Sequence, residues 1–171
     1  DEDTCNSRII AEDGLLPTGA RTWRCAVGGA FHDRRLTTRL LSVEEAQQYQ
    51  AASAAKAAAA CEQLSVGMVL EGHAVAAYNG AYRRVSEHEG WPVLKNESGR
   101  WCFMHIGIVE SWCLGTEPSH HYGVCSSRIV AENALLPIGG QMWKSWFCST
   151  GTWEDTTLTV TIGSAQLAAA D

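Results

Sequence analysis

Residues 5–23 read CNSRIIAEDGLLPTGARTW, and residues 125–143 read CSSRIVAENALLPIGGQMW. At an offset of 120, 11 of the 19 positions are identical, among them Arg8, Glu12, Pro17, Gly19 and Trp23. After a two-residue insertion the match resumes at an offset of 122: Leu36-Thr37 answers Leu158-Thr159, and Ser42 answers Ser164. Self-similarity of this kind marks a duplicated structural unit. A β-like stretch, 67–114, precedes the second copy, and no such stretch precedes the first. The pattern predicts the back half of a β module over 1–42, a linker over 43–66, a complete module over 67–163 and a tail over 164–171. The half module lacks strand partners for part of its apolar surface. It either folds onto the whole module, borrows a partner from another chain, or belongs to a longer array.

The linker has its own signature. Ser42-Val43-Glu44-Glu45 is a capping box, with a serine at the N-cap and a glutamate three residues on. Alanine, the strongest helix former, fills 9 of the 15 positions from 46 to 60, and no glycine or proline intervenes before Gly67. A helix is predicted over about 43–64. Val43, Tyr49, Ala57, Cys61 and Leu64 form its more apolar face. The helix is either a spacer or a small-residue surface that packs closely on a neighbour.

Beyond Gly67, short β-like runs alternate with turn residues. Candidate strands are 68–76, 82–85, 91–95, 101–105, 109–114, 127–132, 142–147 and 157–162, with turns at 78–81 and 96–99. The fold class implied is mainly β with one long helix: a small antiparallel module, sheet or sandwich, plus a duplicated half module. Tyr82, Trp101, Trp112, Trp143 and Trp153 are the candidate core aromatics, since each buries on the order of 200 Å². An exposed tryptophan platform for a glycan is the alternative.

The runs Ala77-Tyr78-Asn79-Gly80-Ala81-Tyr82-Arg83-Arg84-Val85, Gly90-Trp91-Pro92-Val93 and Gly99-Arg100-Trp101-Cys102-Phe103 belong to one spaced pattern. Trp112, Leu136-Pro137, Trp143, Gly151-Thr152-Trp153 and Leu158-Thr159-Val160 complete it. The pattern resembles a repeated small β module of large multidomain proteins from algae and other protists. It covers about 67–163, and its back half recurs at 5–42. Leu94 stands where that module has tyrosine, and Cys102 where it has an apolar residue. The resemblance implies a binding or scaffolding module without catalytic residues.

Seven cysteines are present, an odd number. Cys102 and Cys113 face each other in the predicted hairpin, which allows a cross-strand bridge. Cys5 aligns with Cys125, and Cys25 lies near Cys148 in the alignment, suggesting one bridge per half module, Cys5–Cys25 and Cys125–Cys148. Asn96-Glu97-Ser98 is a glycosylation sequon on a predicted turn. Together these lean toward an oxidising, luminal or extracellular compartment; buried thiols in a reducing one are the alternative. The N-terminus, Asp1-Glu2-Asp3-Thr4-Cys5, lacks a signal-peptide pattern and predicts a chain that is processed or cut from something longer.

Cys113, His120, His121 and Cys125 are the only set resembling a zinc site, yet their spacing matches no finger pattern and the first copy lacks the histidine pair. The same residues are the only set resembling a thiol nucleophile with a base. No phosphate-binding loop and no nucleophile-elbow motif occurs. A net charge of −6 with scattered Lys and Arg argues against a nucleic-acid partner, and no apolar run has the ~18 residues of a membrane-spanning helix. The expectation is a non-enzymatic structural subunit or protein-interaction module of a larger assembly, with no cofactor. A glycan-binding module is second, and a zinc or thiol enzyme third.

Overall fold

The computed structural model describes residues 7–8, 17–27, 30–106, 110–118, 125–131, 133, 135–147 and 150–163. The chain divides into two units, 1–49 and 50–171. It is mainly β, with one α-helix among the described residues. The first unit holds a three-stranded antiparallel sheet of β1 (Ser7–Arg8), β2 (Gly19–Val27) and β3 (Ala30–Thr38), in that order.

The second unit holds eight strands: β4 (Met68–Glu71), β5 (Gly80–His88), β6 (Trp91–Asn96), β7 (Trp101–His105), β8 (Ser111–Gly115), β9 (Cys125–Val130), β10 (Gly139–Phe147) and β11 (Thr152–Ile162). Each pairs antiparallel with its sequence neighbour. Thr159↔Glu71 through Ile162↔Met68 then join β11 to β4. The predicted antiparallel module is therefore present, and its sheet closes on itself into a barrel. Closure leaves no free edge.

Alternation along the strands decides which side chains fill the barrel. Met68, Leu70, Tyr82, Leu94, Met104, Trp112, Leu114, Trp143, Leu158 and Val160 belong to one buried cluster. Of the predicted core aromatics, Tyr82, Trp112 and Trp143 are in it, each fully buried. Trp101 and Trp153 are not. They pack half-buried against a separate cluster of Val93, Phe103, Cys113 and Cys125. The pleat explains the correction, because Trp101 lies one residue out of phase with the inward Cys102, and Trp153 lies out of phase with the inward Leu158 and Val160. Trp91, 2% exposed, is a core aromatic that was not predicted.

The helix α1 (Val43–Gln63) begins at the predicted capping box. The Glu45 N–H donates to Ser42 Oγ (3.1 Å), and the Ser42 N–H donates to Glu45 Oε2 (2.8 Å). The predicted apolar face needs correction. Val43 and Tyr49 are exposed, whereas Ala57, Ala60 and Leu64 are buried in the barrel cluster. Within the second unit, the helix touches all three strand connections at the end where β4 starts. The Cys61 thiol donates to Gly90 O (3.3 Å), Lys56 pairs with Glu110 (3.0 Å), and the Gln63 amide brackets the Leu136 peptide at 2.9 Å on both sides. Alanine permits this close approach, so the segment seals one end of the barrel. Gly67 (φ +84°) then turns the chain into β4; a Cβ there would meet Tyr82 O at 2.3 Å.

Predicted strand 68–76 stops at Glu71 because the chain from 72 to 79 folds over the other end. The His73 N–H donates to Asn79 Oδ1, and Asn79 Nδ2 returns to His73 O, both at 2.8 Å. A short 3-10 turn (Ala76–Tyr78) places the Tyr78 ring 4.5 Å from His73.

Truncating an interior tryptophan removes its transfer energy and leaves a cavity. Trp143→Ala should therefore lower unfolding free energy by about 3–5 kcal/mol. Trp101→Ala should cost on the order of 1 kcal/mol. Denaturant titration followed by far-UV circular dichroism measures both.

Candidate interaction surface

The three-stranded sheet reproduces part of the barrel, position for position. β2 pairs with β3 from Gly19↔Thr38 to Val27↔Ala30, and β10 pairs with β11 from Gly139↔Val160 to Phe147↔Thr152. These are the same pairs under the offsets of 120 and 122. Likewise Ser7↔Cys25 and Arg8↔Arg24 correspond to Ser127↔Ser145 and Arg128↔Lys144. Gly19 and Gly139 share a left-handed backbone, with φ of +82° and +81°. The sheet β1–β2–β3 thus has the pairing of β9–β10–β11.

Its surroundings differ. In the barrel, β11 takes β4 on its far edge and β9 takes β8. Among the described residues, β1 and β3 each have one strand neighbour, β2. Trp143 and Leu158 are fully buried, as are Ser145 and Val160 to within 2%. Their counterparts Trp23, Cys25 and Thr38 are only half-buried, and Leu36 is 40% exposed. Among the described residues, the same pairing thus comes with an unpaired strand edge on β3 and an apolar face less buried than its counterpart in the barrel. Such edges are templates for pairing with another chain.

Charge also separates the two copies. β2 and β3 carry Arg21, Arg24, Arg34 and Arg35 against Asp33; β10 and β11 carry Lys144 against Glu154 and Asp155. Arg21, Arg34 and Arg35 stand where the barrel has Gln141, Thr156 and Thr157. The chain-wide balance of −6 conceals this basic sheet. A copy-by-copy charge comparison is the signal that would have found it.

The other sequence candidates fall elsewhere. Cys25, Cys61, Cys102, Cys113 and Cys125 are free thiols. The predicted Cys102–Cys113 bridge fails on register: Leu114 lies opposite Cys102 and Phe103 opposite Cys113. Cys102 points into the interior cluster and Cys113 into the outer one. Cys5 and Cys148, the other halves of the two remaining bridges, lie outside the described residues, as do His120 and His121. Among the described residues no group of three or more metal-ligating side chains occurs.

Cys113 and Cys125 do come together. The register steps from Leu114↔Ser127 to Gly115↔Cys125, a bulge that makes Ser126 the extra residue. Cys125 is thereby returned to the outer face beside Cys113. A hydrogen bond between the two pushes the Cys113 thiol up and holds Cys125 below the usual thiol range. Both are nearly inaccessible, at 3% and 8% exposed, which suits packing rather than nucleophilic attack.

A polar chain lies at the barrel end covered by 72–79. His73 Nε2 is 3.0 Å from Ser127 Oγ, which donates to Ser145 Oγ at 2.7 Å. Tyr78 Oη contacts Ser126 Oγ at 2.5 Å. Burial holds the His73 imidazole below its ordinary range. Ser127 is fully buried, so no substrate reaches its hydroxyl. These groups fasten the loop to the barrel.

Asn96 belongs to the same end, and the predicted glycan site is corrected there. Its Nδ2 donates to Ala77 O and its Oδ1 accepts from the Arg100 N–H, both at 2.8 Å, and the residue is 6% exposed. The nitrogen that a glycan would occupy is a structural donor.

A groove of about 840 Å³ crosses the outside of β9 and β10, with exposed Val130, Ile138 and Met142 on its walls. The first copy has Thr18 and Thr22 at the positions of Ile138 and Met142, so this apolar surface is not shared. Nearby, Trp146 and Trp153 meet edge to face at 5.8 Å. Arg128 lies over Trp153 at 4.7 Å, and Lys95 over Trp101 at 4.6 Å. No family model, no curated protein and no solved structure matches the chain.

Protein passed through a secretory pathway should carry no glycan on Asn96, its mass being unchanged by glycosidase. Asn96→Ala should cost about 1–3 kcal/mol by leaving the Ala77 and Arg100 groups unpaired.

Proposed function

We propose that the protein is a non-enzymatic structural or protein-interaction module, with β1–β2–β3 as its docking surface. One observation carries this reading: among the described residues, a sheet paired like β9–β10–β11 lacks the flanking strands that the barrel supplies, and its apolar face is less buried. A strand added at β3 would satisfy backbone groups that β4 satisfies for β11, and would bury Leu36 and Trp23. Within the second unit, α1 and the 72–79 loop cover the two ends of the barrel. The resemblance to a repeated β module of large multidomain proteins points the same way.

Glycan binding is the second reading, favoured by the outward Trp146–Trp153 pair, with Trp146 at 40% exposed. It has less support. Arg128 and Lys95 already cover a face of Trp153 and of Trp101, where a sugar would stack.

Leu36→Glu puts a charge on the uncovered face without touching the barrel interior. Light scattering of the purified chain should give a native mass above 18.5 kDa that rises with concentration. In Leu36→Glu the mass should fall to the single-chain value, with the barrel's thermal unfolding unchanged. A wild-type mass of one chain at every concentration, with no effect of the substitution, would contradict the docking surface.

A further inference from the structure

We propose that Cys113 and Cys125 are the two halves of a disulfide, a covalent clasp between β8 and β9 on the outside of the barrel.

Strand register brings the two sulfurs together. The outward positions of β8 are Ser111, Cys113 and Gly115, and Val130, Arg128 and Cys125 face them on β9. A regular ladder beyond Leu114↔Ser127 would turn Cys125 inward, to the side of Trp112 and Leu114. The bulge at Ser126 turns it outward instead. Its direct partner is then Gly115, which has no side chain to fill the space between the strands. Cys125 therefore lies diagonally from Cys113, and both belong to the outer cluster with Val93 and Phe103. Phe103 stands opposite Cys113 on β7, so that side of the thiol is filled. Both cysteines are thiols in this structure, and they share a hydrogen bond. Hydrogen-bonded sulfurs need only a small approach to reach the bond length of about 2.0 Å. The other described cysteines of the barrel unit have different surroundings. Cys102 lies in the interior cluster, on the opposite face of the sheet, and the Cys61 thiol donates to Gly90 O.

The environment also assigns the order of the chemistry. The Cys113 hydrogen bond, helped by the Arg128 charge, holds Cys125 below the usual thiol range, while the same bond and burial push Cys113 up. Cys125 is thus the thiolate of the pair. It is also the first residue of β9, so opening of that strand end bares it while the rest of the barrel stays paired. The oxidant is a small disulfide such as oxidised glutathione. The Cys125 thiolate attacks one of its sulfurs, forms a mixed disulfide and releases one glutathione thiolate. Cys113 then loses its proton to water and attacks Cys125 Sγ. The Cys113–Cys125 bond forms, the mixed disulfide breaks, and a second glutathione thiolate leaves. Two electrons pass from the protein thiols to the glutathione pair. The burial that keeps an outside substrate from these thiols then shields the finished bond from reductants.

Refolding from the unfolded, reduced state in a mixture of reduced and oxidised glutathione tests the pairing without any barrier of access. The product is alkylated under denaturing conditions and digested with trypsin and chymotrypsin, the latter cutting at Tyr122 between the two cysteines. Mass spectrometry should find the Cys113 and Cys125 peptides linked, and Cys102 alkylated. In Cys113→Ala, Cys125 should become alkylated, and in Cys125→Ala, Cys113 should. Reductant should lower the Tm of the refolded wild-type chain by about 5 °C or more, and the drop should shrink in either variant. Recovery of Cys125 linked to Cys5 or Cys148, or of Cys113 and Cys125 both alkylated in the refolded wild-type chain, would overturn the proposal.

Discussion

The pairing of β11 with β4 is the interaction on which the rest of the structure depends. Four residue pairs, from Thr159↔Glu71 to Ile162↔Met68, turn an eight-stranded meander into a barrel. A meander open at that seam would expose two rows of backbone donors and acceptors, together with Leu70, Leu158 and Val160. Closing it satisfies the ladder and dries the interior at once. Trp143, Trp112 and Tyr82 fill that interior because closure leaves no other place for side chains of their size. Among the described residues, the sheet β1–β2–β3 shares the register of β9–β10–β11 without that seam, and its Leu36 is exposed where Leu158 is not.

Sealing the two ends completes the barrel by different means. At one end the contacts are small apolar groups and a few directed polar ones: Ala57, Ala60, Leu64 and the Gln63 amide on Leu136. At the other they are almost entirely polar, running through His73, Asn79, Asn96, Ser127 and Ser145. Buried polar groups hold a loop in one arrangement only while each is paired. Among the described residues both ends of the barrel are covered. In the proposed function the working surface is the three-stranded sheet.

The sequence made some of this legible. The capping box at Ser42 and Glu45 fixed the start of α1 to the residue, because it is a local motif satisfied by local bonds. Strand β7 was found at its observed bounds, Trp101–His105, between two turn signals. Errors arose where tertiary structure decides. Tyr49 is apolar and lies beyond the part of the helix that packs, while the buried stripe is mostly alanine, which carries little hydrophobic signal. Trp101 and Trp153 resemble core residues in composition, and only the pleat tells inside from outside. The Asn96 sequon is indistinguishable in sequence from an exposed one until the Ala77 and Arg100 backbone groups are seen to claim its amide. Barrel closure is a contact between residues about ninety positions apart, from Met68 to Ile162, and no local pattern encodes it. The candidate surface was legible in outline, because the repeat aligns β2 and β3 with β10 and β11, whose pairing they share. Its basic character was not, because the whole-chain charge averaged it away.

The docking surface requires that β3 carry a free edge where β11 does not. Residue-resolved hydrogen exchange on the intact chain measures this directly, by comparing Leu36–Thr38 with the equivalent Leu158–Val160 under one set of conditions. The account predicts strong protection throughout 158–160, and rapid exchange at those amides of 36–38 that point away from β2. Equal protection in the two segments would mean that the β3 edge is already paired, and would contradict the open edge on which the docking reading rests.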